Sequence, residues 1–212
     1  MRVMLSEHAV AVQHRPDGAP AVDGRTARRS RGRAAAIDAV LELFDQGELQ
    51  PSADVVSTRA GVSTASLFRY FRGLDELYRA AFEEQIARVR RLARIDAPED
   101  LPLDERVHRF VAGRIDVYET VAGVGRMARA RAVDHPDVAA ALDRARAGWL
   151  TQARQVFQAE LAGRSRAEAR SLAATVDAVA SFEAWDLLVA VRGTPRRSVE
   201  AHWRTALTAL VA

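Results

Sequence analysis

Apolar side chains recur three or four positions apart along most of this chain, the spacing that gives a helix one buried face. This spacing predicts about nine helices, and no segment alternates apolar and polar residues convincingly enough to predict a strand. The predicted helices cover about 32–46, 52–60, 63–71, 74–95, 103–121, a short stretch after Gly125 that ends near Val133, 136–161, 165–192 and 198–211. The fold class is therefore predicted to be all-α.

Polar residues that suit helix ends support several of these boundaries. Ser52 and Ser63 can each cap a following helix with the hydroxyl group, and Ser165 with Glu168 has the spacing of a capping box. Residues 1–24 show no sustained periodicity and contain two prolines and two glycines. We therefore predict a flexible extension before the first helix.

The stretch from Arg59 to Phe71 has the layout of a helical corner. Gly61 can adopt the positive φ angle that a sharp turn requires, and Ser63 can start the next helix. Leu67 and Phe71 lie four positions apart and predict the buried side of that helix. Two helices joined in this way form a helix-turn-helix, whose second helix enters the major groove of DNA.

The same stretch resembles the amino-terminal domain of TetR-family transcriptional regulators. The resemblance rests on Ala60-Gly61-Val62-Ser63, on Leu67-Phe68-Arg69-Tyr70-Phe71 and on Glu76-Leu77. It implies an extension at 1–24, a helix-turn-helix DNA-binding domain at 25–77 with a basic arm at 25–33, and an effector-binding and dimerisation domain at 78–212. It also implies a homodimer that binds a palindromic operator in double-stranded DNA and responds to a small-molecule effector of unknown identity.

The distribution of charge is relevant to DNA binding. The formal net charge is only +3, and all 31 basic side chains are arginines. Five of them fall between Arg25 and Arg33 with no acidic residue among them, which suits this segment to phosphate groups. A solvated tail is the alternative interpretation, and the position beside a helix-turn-helix favours DNA.

Several side chains in and around the corner are candidates for DNA contacts. Thr64 and Ala65, on the first turn of the recognition helix, would reach base edges, and Arg69 would hold either guanine or phosphate. Tyr70 is either a group that bonds the DNA backbone or a half-buried aromatic residue. The complete candidate set is Arg28, Arg29, Arg31, Arg33, Ser52, Ser63, Thr64, Ala65, Ser66, Arg69, Tyr70 and Arg72.

Two positions depart from the TetR pattern. Phe68 stands where the family usually has a tyrosine, and Gly73-Leu74 stands where it usually has Ser-Lys, so two phosphate contacts are absent. Arg72 or the basic arm would replace them. Removal of Arg25–Arg31 is accordingly predicted to weaken operator binding and to reduce its dependence on salt.

The carboxyl-terminal half carries the predicted dimer interface. Apolar residues cover too much of the circumference of 172–191 for a single buried stripe. One face is predicted to pack in the core and another against a second subunit, and a central helix of a monomer is the alternative. The predicted interface consists of Leu172, Val176, Val179, Phe182, Val189, Val199, Trp203, Leu207 and Leu210.

Large apolar residues of the middle helices are candidates for the effector pocket that the resemblance implies. Such a lining would favour a hydrophobic effector, and Gly123 and Gly125 would leave room for it. The alternative is that these residues form an ordinary core. The candidates are Phe110, Tyr118, Met127, Trp149, Phe157 and Trp185.

Other functions find little support. The five histidines are scattered, no phosphate loop or nucleophile motif occurs, and cysteine is absent, so we predict no enzyme, metal site or cofactor. No segment predicts a membrane span or a signal peptide, and the expected location is the cytoplasm. The predicted function is a sequence-specific DNA-binding regulator, a repressor released by a small hydrophobic effector. The alternative is a helical small-molecule- or partner-binding protein that has lost DNA binding.

Overall fold

In the computed structural model the described residues are 24–89, 93–98 and 100–212, and no strand occurs among them. The all-α prediction is confirmed. The helices are α1 (Gly24–Asp45), α2 (Ala53–Ala60), α3 (Thr64–Tyr70), α4 (Leu74–Val89), α5 (Leu103–Thr120), α6 (Ala122–Arg131), α7 (Pro136–Val156), α8 (Gln158–Ala162), α9 (Arg166–Val179), α10 (Phe182–Asp186) and α11 (Arg196–Val211), with a π-helical turn at Leu187–Val191. None of these described helices is both long and apolar enough to cross a bilayer. Residues 1–23, nearly all of the predicted extension, lie outside the described residues.

The helical corner forms where the sequence predicts it. The hydroxyl oxygen of Ser52 accepts a hydrogen bond from the backbone N–H of Val55 at 3.3 Å and caps α2. Gly61 ends α2 with a φ of 66°, the left-handed conformation that glycine adopts without strain. Ser63 then caps α3 by accepting a hydrogen bond from the N–H of Ser66. Both caps satisfy backbone donors that a helix start leaves unpaired.

The basic segment 25–33 lies inside α1, so the prediction of an arm before the first helix is wrong. The expected helix began at Gly32 because the apolar spacing becomes regular only from Ile37 onwards, whereas α1 begins at Gly24. Arginine is a good helix former and needs no buried face to continue a helix. The arginines of this segment are therefore held on a regular scaffold.

The described structure contains two apolar cores, and helix α6 contributes residues to the first of them. The first core joins α1 to α4 with α6, and the second is built mainly from α5, α7, α9 and α11. Val124 and Met127 of α6 belong to the first core, although they lie within the predicted domain 78–212. Val56 of α2 also belongs to the first core, whereas the neighbouring Val55 is 39% exposed. The two cores thus meet along α6.

The sequence predicted a gap between two helices at Gly123 and Gly125. Both glycines instead lie within α6. A Cβ atom on Gly123 would come within 2.5 Å of the backbone of Phe44 and Asp45, at the end of α1. A Cβ atom on Gly125 would come within 2.7 Å of the Phe182 ring. Gly123 therefore allows close approach of α1, and Gly125 allows close approach of Phe182. Gly125 also lines an apolar cavity, whereas Gly123 does not.

Two long predicted helices are each broken, and arginines of α5 account for both breaks. Arg106 Nη1 donates to the Val156 carbonyl at 2.8 Å, where α7 ends and α8 follows. Arg114 Nη1 and the Tyr118 hydroxyl donate to the Ala180 carbonyl at 3.5 and 2.8 Å, between α9 and α10. A carbonyl that accepts from a side chain no longer needs the helical N–H four residues later, so the helix can end there. The predicted helices 136–161 and 165–192 are therefore wrong as single elements.

Candidate nucleic-acid interface and neighbouring cavities

Helix α3 presents one continuous face to solvent. Leu67 is buried against the first core, and Phe71 beyond the helix end is buried as well. Ala65, Phe68 and Arg69 are exposed, and they follow the spacing of three and four residues that places side chains on one helical face. The predicted inward stripe is thus confirmed, and the opposite face of α3 is open to a partner.

Thr64 does not project from this face. Its hydroxyl group lies 3.0 Å from Asp54 Oδ1, to which it donates, and 3.0 Å from the hydroxyl of buried Ser57. These bonds connect the first turn of α3 to α2 and help to set the angle of the corner. The sequence predicted that Thr64 reaches a base edge. Its hydroxyl group is instead engaged in holding α3 against α2.

A chain of hydrogen bonds runs along the start of α3 and ends at Arg69. Ser63 Oγ donates to Ser66 Oγ at 3.0 Å, and Arg69 Nη2 donates to the same Ser66 oxygen at 2.6 Å. The guanidinium group of Arg69 is thereby drawn back along the exposed face towards the first turn. Several of its donors remain available for phosphate or base acceptors.

The arginines of α1 lie beside α3. Arg29 Nη2 donates to the Arg69 carbonyl at 3.4 Å, and the Arg33 guanidinium carbon lies 5.0 Å from the centre of the Phe71 ring. Arg28 and Arg31 are exposed on the same segment of α1. The structure therefore brings the predicted basic segment and the predicted recognition helix onto one surface.

The remaining candidate groups lie at the start of α2 and at the end of α3. Ser52 is exposed at the start of α2, and its capping bond leaves the hydroxyl proton available to an acceptor. Tyr70 is half-buried, and its ring lies directly against Gly32 of α1. The side chain of Arg72 is exposed, while its backbone N–H donates to Glu76 Oε2 at 2.9 Å. Ser52 and Arg72 are thus open to solvent, and Tyr70 lies between α3 and α1.

An apolar cavity of about 90 Å³ lies between α4, α5, α6, α7 and the break after α9. Tyr118 and Trp149 of the predicted effector set line it, together with Phe82, Ile86 and Phe182. A second cavity of about 520 Å³, between α4, α6 and α7, is lined in part by Met127. It shares Phe82 and Ile86 with the first.

Three residues of the predicted effector set do not line either cavity. Phe110, Phe157 and Trp185 are at most 3% exposed and belong to the second core. The ring centres of Phe110 and Phe157 lie 5.2 Å apart in an edge-to-face contact. These residues are core, which is the alternative that the sequence left open.

A buried arginine that sequence reasoning missed forms part of the cavity wall. Arg114 is 1% exposed, and it donates to Gln152 Oε1, the Trp149 carbonyl and Asp177 Oδ1 as well as to Tyr118 and Ala180. All of its N–H groups are therefore engaged, and they fix α5 to α7 and α9. Burial raises the pKa of Tyr118 to about 12, although the Arg114 charge lowers it.

Of the nine predicted dimer residues four are buried, four are half-buried on the outside, and Phe182 packs inward. Val176, Val199, Trp203 and Leu207 are at most 3% exposed in the single chain, so they belong to its core and cannot be the interface. Phe182 is turned towards Gly125 and the Tyr118 ring, whose centre is 5.6 Å from its own. Leu172, Val179, Val189 and Leu210 are half-buried. The most exposed apolar side chains here are Leu187 and Val191, at 44% and 73%, which the sequence analysis did not select.

The fold is that of the TetR-family transcriptional regulators. A regulator of this family from Streptomyces coelicolor superposes with a TM-score of 0.66 at 22% identity, covering 87% of this chain and 80% of its own. A putative member from a Rhodococcus species gives a TM-score of 0.63 at 22% identity, covering 88% of this chain and 100% of its own. The multidrug binding protein EbrR complexed with imidazole gives 0.58 at 22% identity, with 88% and 90% covered. No family model and no curated protein matches the sequence.

Proposed function

We propose that this protein is a sequence-specific DNA-binding transcriptional regulator, a repressor released by a small hydrophobic effector. The observation that carries the proposal is the single surface formed by the exposed face of α3 and the arginines of α1, where Arg29 contacts the backbone of Arg69. Exposed arginines around a helix that can enter a groove are the electrostatic signature of DNA binding. The shared fold of TetR-family regulators supports it.

In this proposal α3 lies in the major groove. Arg69, exposed in the last turn of α3, holds either the two acceptors of guanine or a phosphate. Ser52, Tyr70 and Arg72 border the helix and bond the DNA backbone, which fixes the position of the protein without reading sequence. The arginines of α1 neutralise further phosphates and compensate for the missing tyrosine and lysine.

Effector binding is proposed at the apolar cavity between α4, α5, α6 and α7. A volume of about 90 Å³ is small beside the roughly 300 Å³ or more of typical ligand pockets, so a larger effector must open the cavity towards its neighbours. An effector that prefers the open arrangement shifts the population of conformers, and α6 transmits the change because it packs on α1. EbrR, a multidrug binding protein of similar fold complexed with imidazole, supports the proposal that this chain binds a small molecule.

A homodimer completes the proposal, because two recognition helices related by a two-fold axis match the two halves of a palindromic operator. The half-buried Leu172, Val179, Val189 and Leu210 and the exposed Leu187 and Val191 form the proposed contact surface. They lie on α9, the π-helical turn and α11, on the outside of the second core.

Selection of bound duplexes from a random library, followed by anisotropy titrations at about 50 and 200 mM salt, tests the proposal. The double variant Arg28→Gln/Arg31→Gln should lower the slope of log affinity against log salt by about 0.9 for each lost phosphate contact. The matched double variant Arg144→Gln/Arg154→Gln, exposed on α7, should keep the wild-type slope. The arginines are substituted and not deleted, because Arg25–Arg31 lie in α1. A deletion would remove part of the helix that supports α3.

Failure to select any duplex, even at the lower salt concentration, would overturn the DNA-binding proposal. It would favour the alternative of a helical ligand- or partner-binding protein, for which Phe68 and Gly73-Leu74 already replace two phosphate-binding groups. Equal salt slopes for both double variants would retain DNA binding but remove the α1 arginines from the interface.

A further inference from the structure

The exposed face of α3 has an unusual chemical balance. Its polar side chains are largely engaged: Thr64 bonds Asp54 and Ser57, and Ser63 bonds Ser66. What remains outermost on the first turns is apolar, namely the Ala65 methyl group and the Phe68 ring, which is 50% exposed. The two lie three residues apart on one side of the helix.

We propose that Ala65 and Phe68 form an apolar reading surface for the C5-methyl groups of thymine. The inference rests on the proposed function, since it requires α3 to enter the major groove. In that groove thymine is the base that presents a methyl group, so an apolar side chain distinguishes it from cytosine and adenine. Phe68, lacking a hydroxyl group, therefore takes part in base recognition by apolar contact.

The surroundings of the two residues favour DNA over another occupant. Arg69 adjoins Phe68 on the same face, and Arg29 reaches the backbone of Arg69 from α1. A protein partner with an apolar surface would leave these cations without acceptors on burial, whereas a duplex supplies phosphates around a methyl-lined groove floor. The polar border thus fixes the register, and the apolar centre selects thymine.

Deoxyuridine provides the test, because it differs from thymidine only by the absent methyl group. The full-length protein is used to select an operator, each thymine in it is replaced singly by deoxyuridine, and affinity is measured by anisotropy. We expect one or two positions in each half-site where the replacement weakens binding about three- to tenfold. Phe68→Ala should bind the thymine operator more weakly and should lose the effect of deoxyuridine at those positions.

Two further variants separate this effect from general weakening. Arg72→Gln should weaken binding to all sequences and keep the sensitivity to deoxyuridine. Val133→Ala, at a residue that is 84% exposed between α6 and α7, should match the wild type throughout. Circular dichroism and thermal melting check that Phe68→Ala is folded, which its half-exposed position favours.

The inference is overturned if the wild-type protein tolerates deoxyuridine at every position. It is also overturned if Phe68→Ala remains as sensitive to deoxyuridine as the wild type. In either case a salt-dependent operator complex would leave the proposed function standing. A wild-type protein that selects no duplex would overturn both. These outcomes therefore distinguish failure of the reading surface from failure of the regulator proposal.

Discussion

Gly32 of α1 leaves room for the ring of Tyr70, the last residue of α3. A Cβ atom at this position would lie 2.5 Å from the hydroxyl oxygen of Tyr70 and under 3 Å from two of its ring carbons. In an ordinary helix interior alanine is more stable than glycine by about 1 kcal/mol, so glycine here works against helix propensity. The Tyr70 ring occupies the space that a Cβ atom at this position would need, which explains why glycine suits it.

Gly32→Ala is predicted to destabilise the protein by about 1–3 kcal/mol, because the methyl group forces Tyr70 or α1 to move. It should also weaken operator binding, since the displaced ring is attached to α3. Thermal unfolding and anisotropy measure the two effects. The control is Gly148→Ala in α7, where the added methyl meets nothing within 4 Å and should stabilise by about 1 kcal/mol. Equal effects of the two substitutions would contradict the steric explanation.

Two buried tyrosines predict a loss of stability at high pH. Burial raises the pKa of Tyr78 and of Tyr118 to about 12 in the folded state, compared with about 10 in an unfolded chain. The folded protein retains these protons where the unfolded chain releases them, so the stability is complete below pH 10 and declines as the pH rises towards 12. Denaturant titrations at about pH 9 and 11 should differ by about 1 kcal/mol for each tyrosine. Tyr118→Phe should show a smaller difference, and an unchanged one would exclude Tyr118 as a source.

At the scale of elements, α6 is the connection between the two cores. Its first turn meets the last residues of α1 at Gly123, where an added Cβ atom would come within 2.5 Å of Phe44 and Asp45. Further along, Arg126 Nε donates to Asp186 Oδ1 at 2.8 Å and so ties α6 to α10. Arg131 forms an ion pair with Asp75 at the start of α4. A movement at the cavity wall therefore has a direct mechanical connection to α1 and α4.

Gly123→Ala is predicted to separate α6 from α1, because the methyl group would meet backbone atoms that cannot rotate aside. We expect a loss of about 1–3 kcal/mol, corresponding to roughly 2–4 °C per kcal/mol in melting temperature for a chain of this size. Calorimetry should show the decrease, again with Gly148→Ala as the matched substitution. A melting temperature at or above that of the wild type would show that the junction tolerates the methyl group.

At the scale of the whole molecule, the outer surface of the second core bears on assembly. Among the described residues from α7 onwards, the most exposed large apolar side chains lie at the π-helical turn. Leu187 and Val191 project there, whereas the core-facing Val199, Trp203 and Leu207 of α11 are enclosed by the same chain. Apolar side chains that solvent reaches in the single chain become buried when a second copy packs on them. The dimer proposal therefore depends on this outer surface.

Leu187→Asp/Val191→Asp is predicted to convert the proposed dimer to a monomer, because each buried carboxylate would lack a partner. Sedimentation velocity at micromolar concentration measures the assembly state directly. Val133→Asp places the same charge at a distant exposed residue and should leave the assembly unchanged. A wild-type protein that sediments as a monomer would exclude the dimer and the palindromic operator with it.

The all-α fold class, the corner at Gly61 and the helix caps could be predicted from the sequence. Each of them depends on residues that lie within one or two helical turns of one another. Gly61, Ser52 and Ser63 act on neighbouring backbone groups, and the apolar spacing of α1, α5 and α11 indicates a buried face without naming what covers it. The basic segment was recognised as a phosphate-binding candidate for the same reason, since charge density is a local property.

Tertiary structure decided everything that depends on groups distant in the chain. The breaks at Phe157 and Ala180 follow from Arg106 and Arg114, which reach carbonyl groups 50 and 66 residues away. Periodicity cannot distinguish a face buried in the same chain from one buried against a partner, so several predicted interface and effector residues proved to be core. The sequence by itself thus determined that the chain is helical, how the corner turns at Gly61 and where α3 begins. Packing alone decided that Thr64 bonds to α2, that Phe68 remains outside, and that Gly123 marks a contact with α1.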